Sequence, residues 1–120
     1  MPENNADLKN SLSHSNEITI SVTGRKSGRT ISNPVWFAVD GNTLYLLPVQ
    51  GSDTQWYKNV LKDPSMRIQT KSADTELKVT PVTDAKQVSS VVERFRAKYG
   101  PGDVMKYYSK FDVAVTATLH

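Results

Sequence analysis

The chain is punctuated at short intervals by turn signals between runs of period-two hydrophobicity, and that pattern limits it to an antiparallel architecture. Ile18, Ile20 and Val22 alternate with Thr19 and Ser21, the rhythm of a strand. A second apolar run extends from about Thr30 to Val39. Asp40-Gly41 then separates it from a third run, Thr43 to Leu47, because glycine supplies the positive φ of a tight hairpin turn. Pro48 cannot donate to a ladder and ends that strand. Met66 to Thr70 and Glu76 to Thr80 read as another hairpin, and Val113, Val115, Ala117 and Leu119 alternate again near the end. Helical spacing is confined to two places. Trp56, Tyr57, Val60 and Leu61 form a short stripe closed by Asp63-Pro64. Val88, Val91, Val92 and Phe95 follow an Asp84/Gln87 capping pair and stop at Gly100-Pro101. A brief helical segment is expected around Val104 to Tyr108.

The order is therefore β, β, β, short helix, β, β, helix, β. Long crossover helices between successive strands are missing, so a parallel doubly wound sheet is excluded. The expected fold is mainly β with flanking helices: an antiparallel barrel over residues 17–120. Residues 1–16 are rich in Asn, Ser and charge and read as a loose tail with a short helical turn around Leu8 and Leu12. The second strand is apolar on both faces at Trp36 and Ala38, which points to a central strand or a homodimer interface.

Composition removes whole classes of function. Cysteine is absent, so disulfides, thiol nucleophiles and thiolate metal sites are out. His14 and His120 have no second ligand at metal-site spacing. No run approaches the roughly 18 apolar residues of a membrane span, and the first 17 residues lack a signal peptide's apolar stretch. The expectation is a cytoplasmic protein. Fifteen basic against twelve acidic residues give +3, too weak and too dispersed for a nucleic-acid-binding face. The one local concentration is Arg25, Lys26 and Arg29.

That cluster sits in Gly24-Arg25-Lys26-Ser27-Gly28, between two strands. The glycines let backbone amides converge on an oxygen. Arg25 and Lys26 add positive charge and Ser27 a hydroxyl, so phosphate or carboxylate would be satisfied. A hydrophilic hairpin that happens to be basic reads the same way. The Walker spacing is absent. A second candidate is Pro48-Val49-Gln50-Gly51-Ser52, running into Trp56-Tyr57-Lys58-Asn59. A Gly-Ser pair entering a helix presents free amides, and Trp56 offers a flat face. The alternative is that Trp56 and Tyr57 anchor the helix to the barrel.

Thr23-Gly24-Arg25-Lys26-Ser27-Gly28, Asn33-Pro34-Val35, Asp40-Gly41, Trp56-Tyr57-Lys58-Asn59 and Asp63-Pro64, in that order, resemble the deazaflavin (F420)-dependent nitroreductase/quinone reductase family. Its members are split β-barrels of the flavin/deazaflavin oxidoreductase superfamily, with FMN-binding and pyridoxamine-phosphate-oxidase-like relatives. The resemblance runs from about Ile18 to the C-terminus. It implies an F420-dependent reductase, with FMN as the alternative cofactor, that passes a hydride to a quinone, enone or nitro compound. A non-catalytic flavin-, deazaflavin- or small-ligand-binding barrel is the alternative function.

The resemblance assigns Arg25, Lys26 and Ser27 to the cofactor's phosphate and acidic tail, and Asn33, Pro34 and Val35 to its ring and ribityl chain. It puts Pro48, Val49, Gln50, Gly51 and Ser52 against the ring or phosphate, with Trp56 and Asn59 shaping the pocket. Tyr99, Tyr107 and Tyr108 fall near the family's substrate-pocket tyrosines, and could equally be core residues. No catalytic side chain or metal is implied. Two departures stand out: Ile31 lies where members often carry Arg, and Val49-Gln50 where many carry Lys. Both losses favour a smaller anionic group.

Overall fold

A computed structural model describes residues 6–71 and 73–119; residues 1–5, Ser72 and His120, one of the two histidines weighed as metal ligands, lie outside it. It contains α1 (Ala6–Ser13), β1 (Ile18–Thr23), β2 (Thr30–Val35), β3 (Phe37–Asp40) and β4 (Thr43–Leu46). A 3₁₀ turn (Gly51–Asp53) leads into α2 (Gln55–Lys62), followed by β5 (Ser65–Gln69) and β6 (Asp74–Val82). Then come α3 (Ala85–Tyr99), α4 (Pro101–Tyr107) and β7 (Ala114–Thr118).

All seven strands form one antiparallel sheet in the order β2-β1-β5-β6-β7-β4-β3. Strand β6 is the spine, pairing with β5 through Lys78 and with β7 from Val79 onward. The two edge strands, β2 and β3, are consecutive in the chain and joined by Trp36 alone. One intervening residue spans only about 7 Å between flanking Cα atoms, so the sheet must curl until its edges meet at Trp36. This is the expected split β-barrel. The expected second strand, Thr30 to Val39, is broken where the chain passes from one edge to the other.

The barrel interior is filled by inward residues that face one another across the ladders. Ile20 pairs with Ile68, Met66 with Leu77, Leu44 with Ala117 and Leu46 with Val115, and all eight belong to one buried cluster. A second cluster lies outside β3, β4 and β7. There Ala38, Leu47 and Ala114 pack under Val88, Val91, Val92 and Phe95 of α3. The apolar second face around Trp36 and Ala38 is thus covered by the chain's own α3 and α4. Asp84 caps α3 by accepting from the Gln87 amide at 3.0 Å, and Gly100 ends it at φ 94°.

The leading segment has the helical turn expected around Leu8 and Leu12, but it is packed rather than loose. From Ala6 to Ser13 it is helical, and Leu8 and Leu12 are buried in the barrel core. Those two residues, at i and i+4, are enough to lay a polar helix across the barrel. Among the described residues, no helix is long and apolar enough to cross a membrane.

Candidate functional site

The basic turn is internally braced. The Gly24 amide donates to the Arg29 carbonyl at 2.8 Å and the Gly28 amide to the Gly24 carbonyl at 2.9 Å. Gly28 has φ 70°, in the left-handed region that glycine enters without penalty. The turn is then fastened to α2. Buried Asn59 accepts through Oδ1 from the Arg25 amide at 3.1 Å and from Arg25 Nη1 at 2.8 Å. Arg25 Nη2 donates to Gln55 Oε1 at 2.9 Å, and Lys62 Nζ to the Arg25 carbonyl at 3.0 Å.

Both acceptors on the guanidinium are neutral amides. Arg25 is therefore held in place without its charge being cancelled, the requirement for an anion site. Arg25, Lys26, Ser27, Lys62 and Asp63 line a 540 Å³ open cavity. Asp63, its one acid, accepts from the Ser65 amide at 3.1 Å. Among the described residues no carboxylate pairs with Arg25, Lys26 or Lys62.

A second cavity, of 330 Å³, opens at the other end of the β1–β2 hairpin. It is lined by Glu17, Pro34, Val35, Trp36, Leu47, Val49, Tyr107 and Tyr108. Trp36 is fixed on one face by Tyr99, stacked at 4.2 Å and 10°, and meets Tyr107 edge-on at 5.4 Å and 79°. The Tyr99 hydroxyl lies 2.7 Å from the Asn16 carbonyl and 3.1 Å from the Phe37 carbonyl, either of which can take its proton, and accepts from the Phe37 amide at 3.2 Å. Burial pushes the Tyr99 and Tyr108 phenols up. Lys98 sits on the Phe37 ring at 3.4 Å and donates to the Phe37 carbonyl at 2.9 Å; burial lowers its amine to about 8.

The segment Pro48–Ser52 is already engaged. Gln50 N donates to Thr54 Oγ1 at 2.8 Å and Gly51 N to the Pro48 carbonyl at 3.1 Å. Asp112 takes Ser52: its Oδ1 accepts from the Ser52 amide at 2.9 Å and its Oδ2 from the Ser52 hydroxyl at 2.5 Å. Lys110 lies 3.7 Å from the same carboxylate. Burial pushes the Asp112 carboxyl up, but the Ser52 bonds and Lys110 together hold it below its ordinary value. An internal carboxylate thus stands where an external anion would bind.

A family model described as "Uncharacterized protein conserved in bacteria (DUF2255)" matches residues 8–119. The chain belongs to the DUF2255 family. Solved structures place this DUF2255 chain among split barrels. An F420-H2 dependent reductase, FDR-A, superposes with TM-score 0.66 at 15% identity, over 85% of this chain and 93% of the other. A putative pyridoxamine 5'-phosphate oxidase from Listeria innocua gives 0.67 at 14%, over 93% and 90%. HutZ, the heme storage protein of Vibrio cholerae, gives 0.69 at 11%, over 95% and 88%. Likeness at this identity is a likeness of fold, and the fold hosts unlike functions.

Within the DUF2255 chain, the residues singled out from sequence divide into three groups. Arg25, Lys26 and Ser27 share the basic cavity, with Asn59 beneath Arg25. Pro34, Val35, Val49, Tyr107 and Tyr108 share the aromatic cavity, Asn33 lies between the two on β2, and Tyr99 backs Trp36. Pro48 and Gly51 are buried, Gln50 is turned into the 3₁₀ turn, and Ser52 is bound to Asp112. Trp56 is 5% exposed within the barrel core, the anchoring role weighed for it. Glu17, Lys62 and Asp112 were not singled out. Lys62 carries a local signal, a cation in the last turn of a helix; Glu17 and Asp112 carry none.

Proposed function

We propose that the protein is an oxidoreductase that binds F420 and passes its hydride to an electron-poor organic acceptor, a quinone, an enone or a nitro compound. The observation that carries this reading is the uncancelled charge of Arg25, fixed by Asn59 and Gln55 on the same hairpin that opens at its far end onto the Trp36 pocket.

Six paired positions separate the basic turn from that pocket, about 20 Å at the rise of a strand. A ligand that touched both would need a long acidic tail, which F420 has. FMN, with a single phosphate on a short ribityl chain, spans less of that distance. Because Asp112 holds Ser52, the anionic part of the ligand is directed to Arg25, Lys26 and Lys62.

When bound, the deazaflavin supplies the hydride. The chain's residues bind and orient. Arg25 and Lys62 grip the tail, while Asn33, Pro34 and Val35 flank it along the edge strand. Trp36 and Tyr107 wall the acceptor beside the rings, and Leu47 and Val49 keep water out. Tyr108, its phenol held protonated by burial, is a neutral donor across the physiological range.

The test is oxidation of reduced F420, followed by absorbance, with menadione, cyclohexenone and a nitroimidazole as acceptors. Turnover with at least one supports the reading. Protein that takes up F420 and never oxidises it indicates the binding barrel instead, and protein that takes up neither F420 nor FMN sinks both.

A further inference from the structure

We infer that the cavity walled by Trp36, Tyr107 and Tyr108 and edged by Glu17 takes an organic cation, a quaternary or protonated amine on a small aromatic frame. Its identity as the acceptor's subsite rests on the proposed reductase function; its preference for positive charge rests on the cavity alone.

Three aromatic rings converge there at different tilts. Trp36 meets Tyr107 at 79° and Tyr108 at 47°, with centroids 5.4 and 6.1 Å away. All three line the cavity, and the face of an aromatic ring attracts an ammonium group. The same aromatic cluster already attracts the chain's own cations: Lys98 over Phe37 and Tyr99, and Lys106 at 5.4 Å from the Tyr107 centroid.

Among the described residues no Lys or Arg lines the cavity. Glu17 lines the cavity, and among the described residues no Lys or Arg pairs with it. Its charge is felt at the cluster, since it helps raise the Tyr99 phenol. Every other lining residue is apolar or a phenol, so a cationic ligand would supply the missing partner. The volume, 330 Å³, is that of a small-molecule site.

The experiment titrates cofactor-free protein with (4-hydroxyphenyl)trimethylammonium and with 4-tert-butylphenol, which have the same shape and differ in charge. Binding is read from the indole N–H resonance of Trp36 by NMR. The cation should bind about five- to tenfold more tightly than the phenol, and Glu17→Gln, a substitution at an exposed position, should bring the two within about twofold. Equal binding of the two, a preference that survives Glu17→Gln, or no perturbation of Trp36 at millimolar cation would overturn the inference. Because no cofactor is present, these outcomes stand whether or not F420 binds.

Discussion

Asn59 Oδ1 accepts from both the backbone amide and the guanidinium of Arg25, at 3.1 and 2.8 Å, so one buried side chain fastens the basic turn to helix α2. Asn59→Ala leaves the Arg25 amide without its partner and should destabilise the fold by about 1–3 kcal/mol, measured by urea unfolding. Asn59→Asp separates structure from binding. It can accept the same two bonds, yet it cancels the Arg25 charge. Stability should survive while F420 affinity falls; a variant that binds F420 as well as the parent would show that the free charge of Arg25 is irrelevant.

Gly51 adopts φ 55°, and a Cβ there would land on Asp112 Oδ1. Gly51→Ala should cost about 1–3 kcal/mol from the left-handed backbone alone, with the clash adding to it. In an Asp112→Ala background the carboxylate clash disappears, leaving the backbone cost and a 3.0 Å contact with Lys110 Cγ. A double-mutant cycle by urea unfolding should therefore show coupling between positions 51 and 112; additive effects would mean the carboxylate does not pack against Gly51. The same carboxylate has an acid limb. Its folded pKa lies below the ordinary 3.8, so its contribution is complete above that value and fades as pH falls through the folded one. Asp112→Asn should flatten this part of the stability profile.

Lys98 gives a slope of the same sign on the alkaline side. Its amine is lowered from 10.5 to about 8 by burial, so between those values the unfolded chain holds a proton that the folded chain has released. Stability should rise as pH passes through 8, and it should turn down again above 10, where burial disfavours the phenolates of Tyr57, Tyr99 and Tyr108. Urea midpoints at pH 7, 8.5 and 9.5 check this. Lys98→Met should lose the rise; an unchanged slope would assign it to another group.

Features set by neighbours in sequence were legible without coordinates. The alternation in β1, the Asp40-Gly41 hairpin and the Asp84 cap each depend on residues within four positions of one another. The antiparallel barrel also followed, because hairpins without crossover helices leave few alternatives; its split form was implied only by the family resemblance. What escaped depended on distance along the chain. Leu8 and Leu12 look isolated in a polar stretch until the barrel supplies a surface for them. The break at Trp36 is visible only once β2 and β3 are opposite edges of one sheet. Ser52 reads as a free helix entrance, and its partner Asp112 lies 60 residues away. Within the candidate site the motif residues of the basic turn came together, whereas the loop after β4 had its amides committed internally.

The most direct test of the account is a fluorescence titration of F420 into the parent protein and into Arg25→Ala/Lys26→Ala. The account predicts micromolar binding for the parent. For the double variant it predicts a ten- to hundredfold loss, about 1.5–3 kcal/mol, with the fold retained and the thermal midpoint lower by about a few degrees because Arg25's bonds to Asn59 and Gln55 are gone. Equal affinity in the two proteins, or no binding of F420 to the parent, would contradict it.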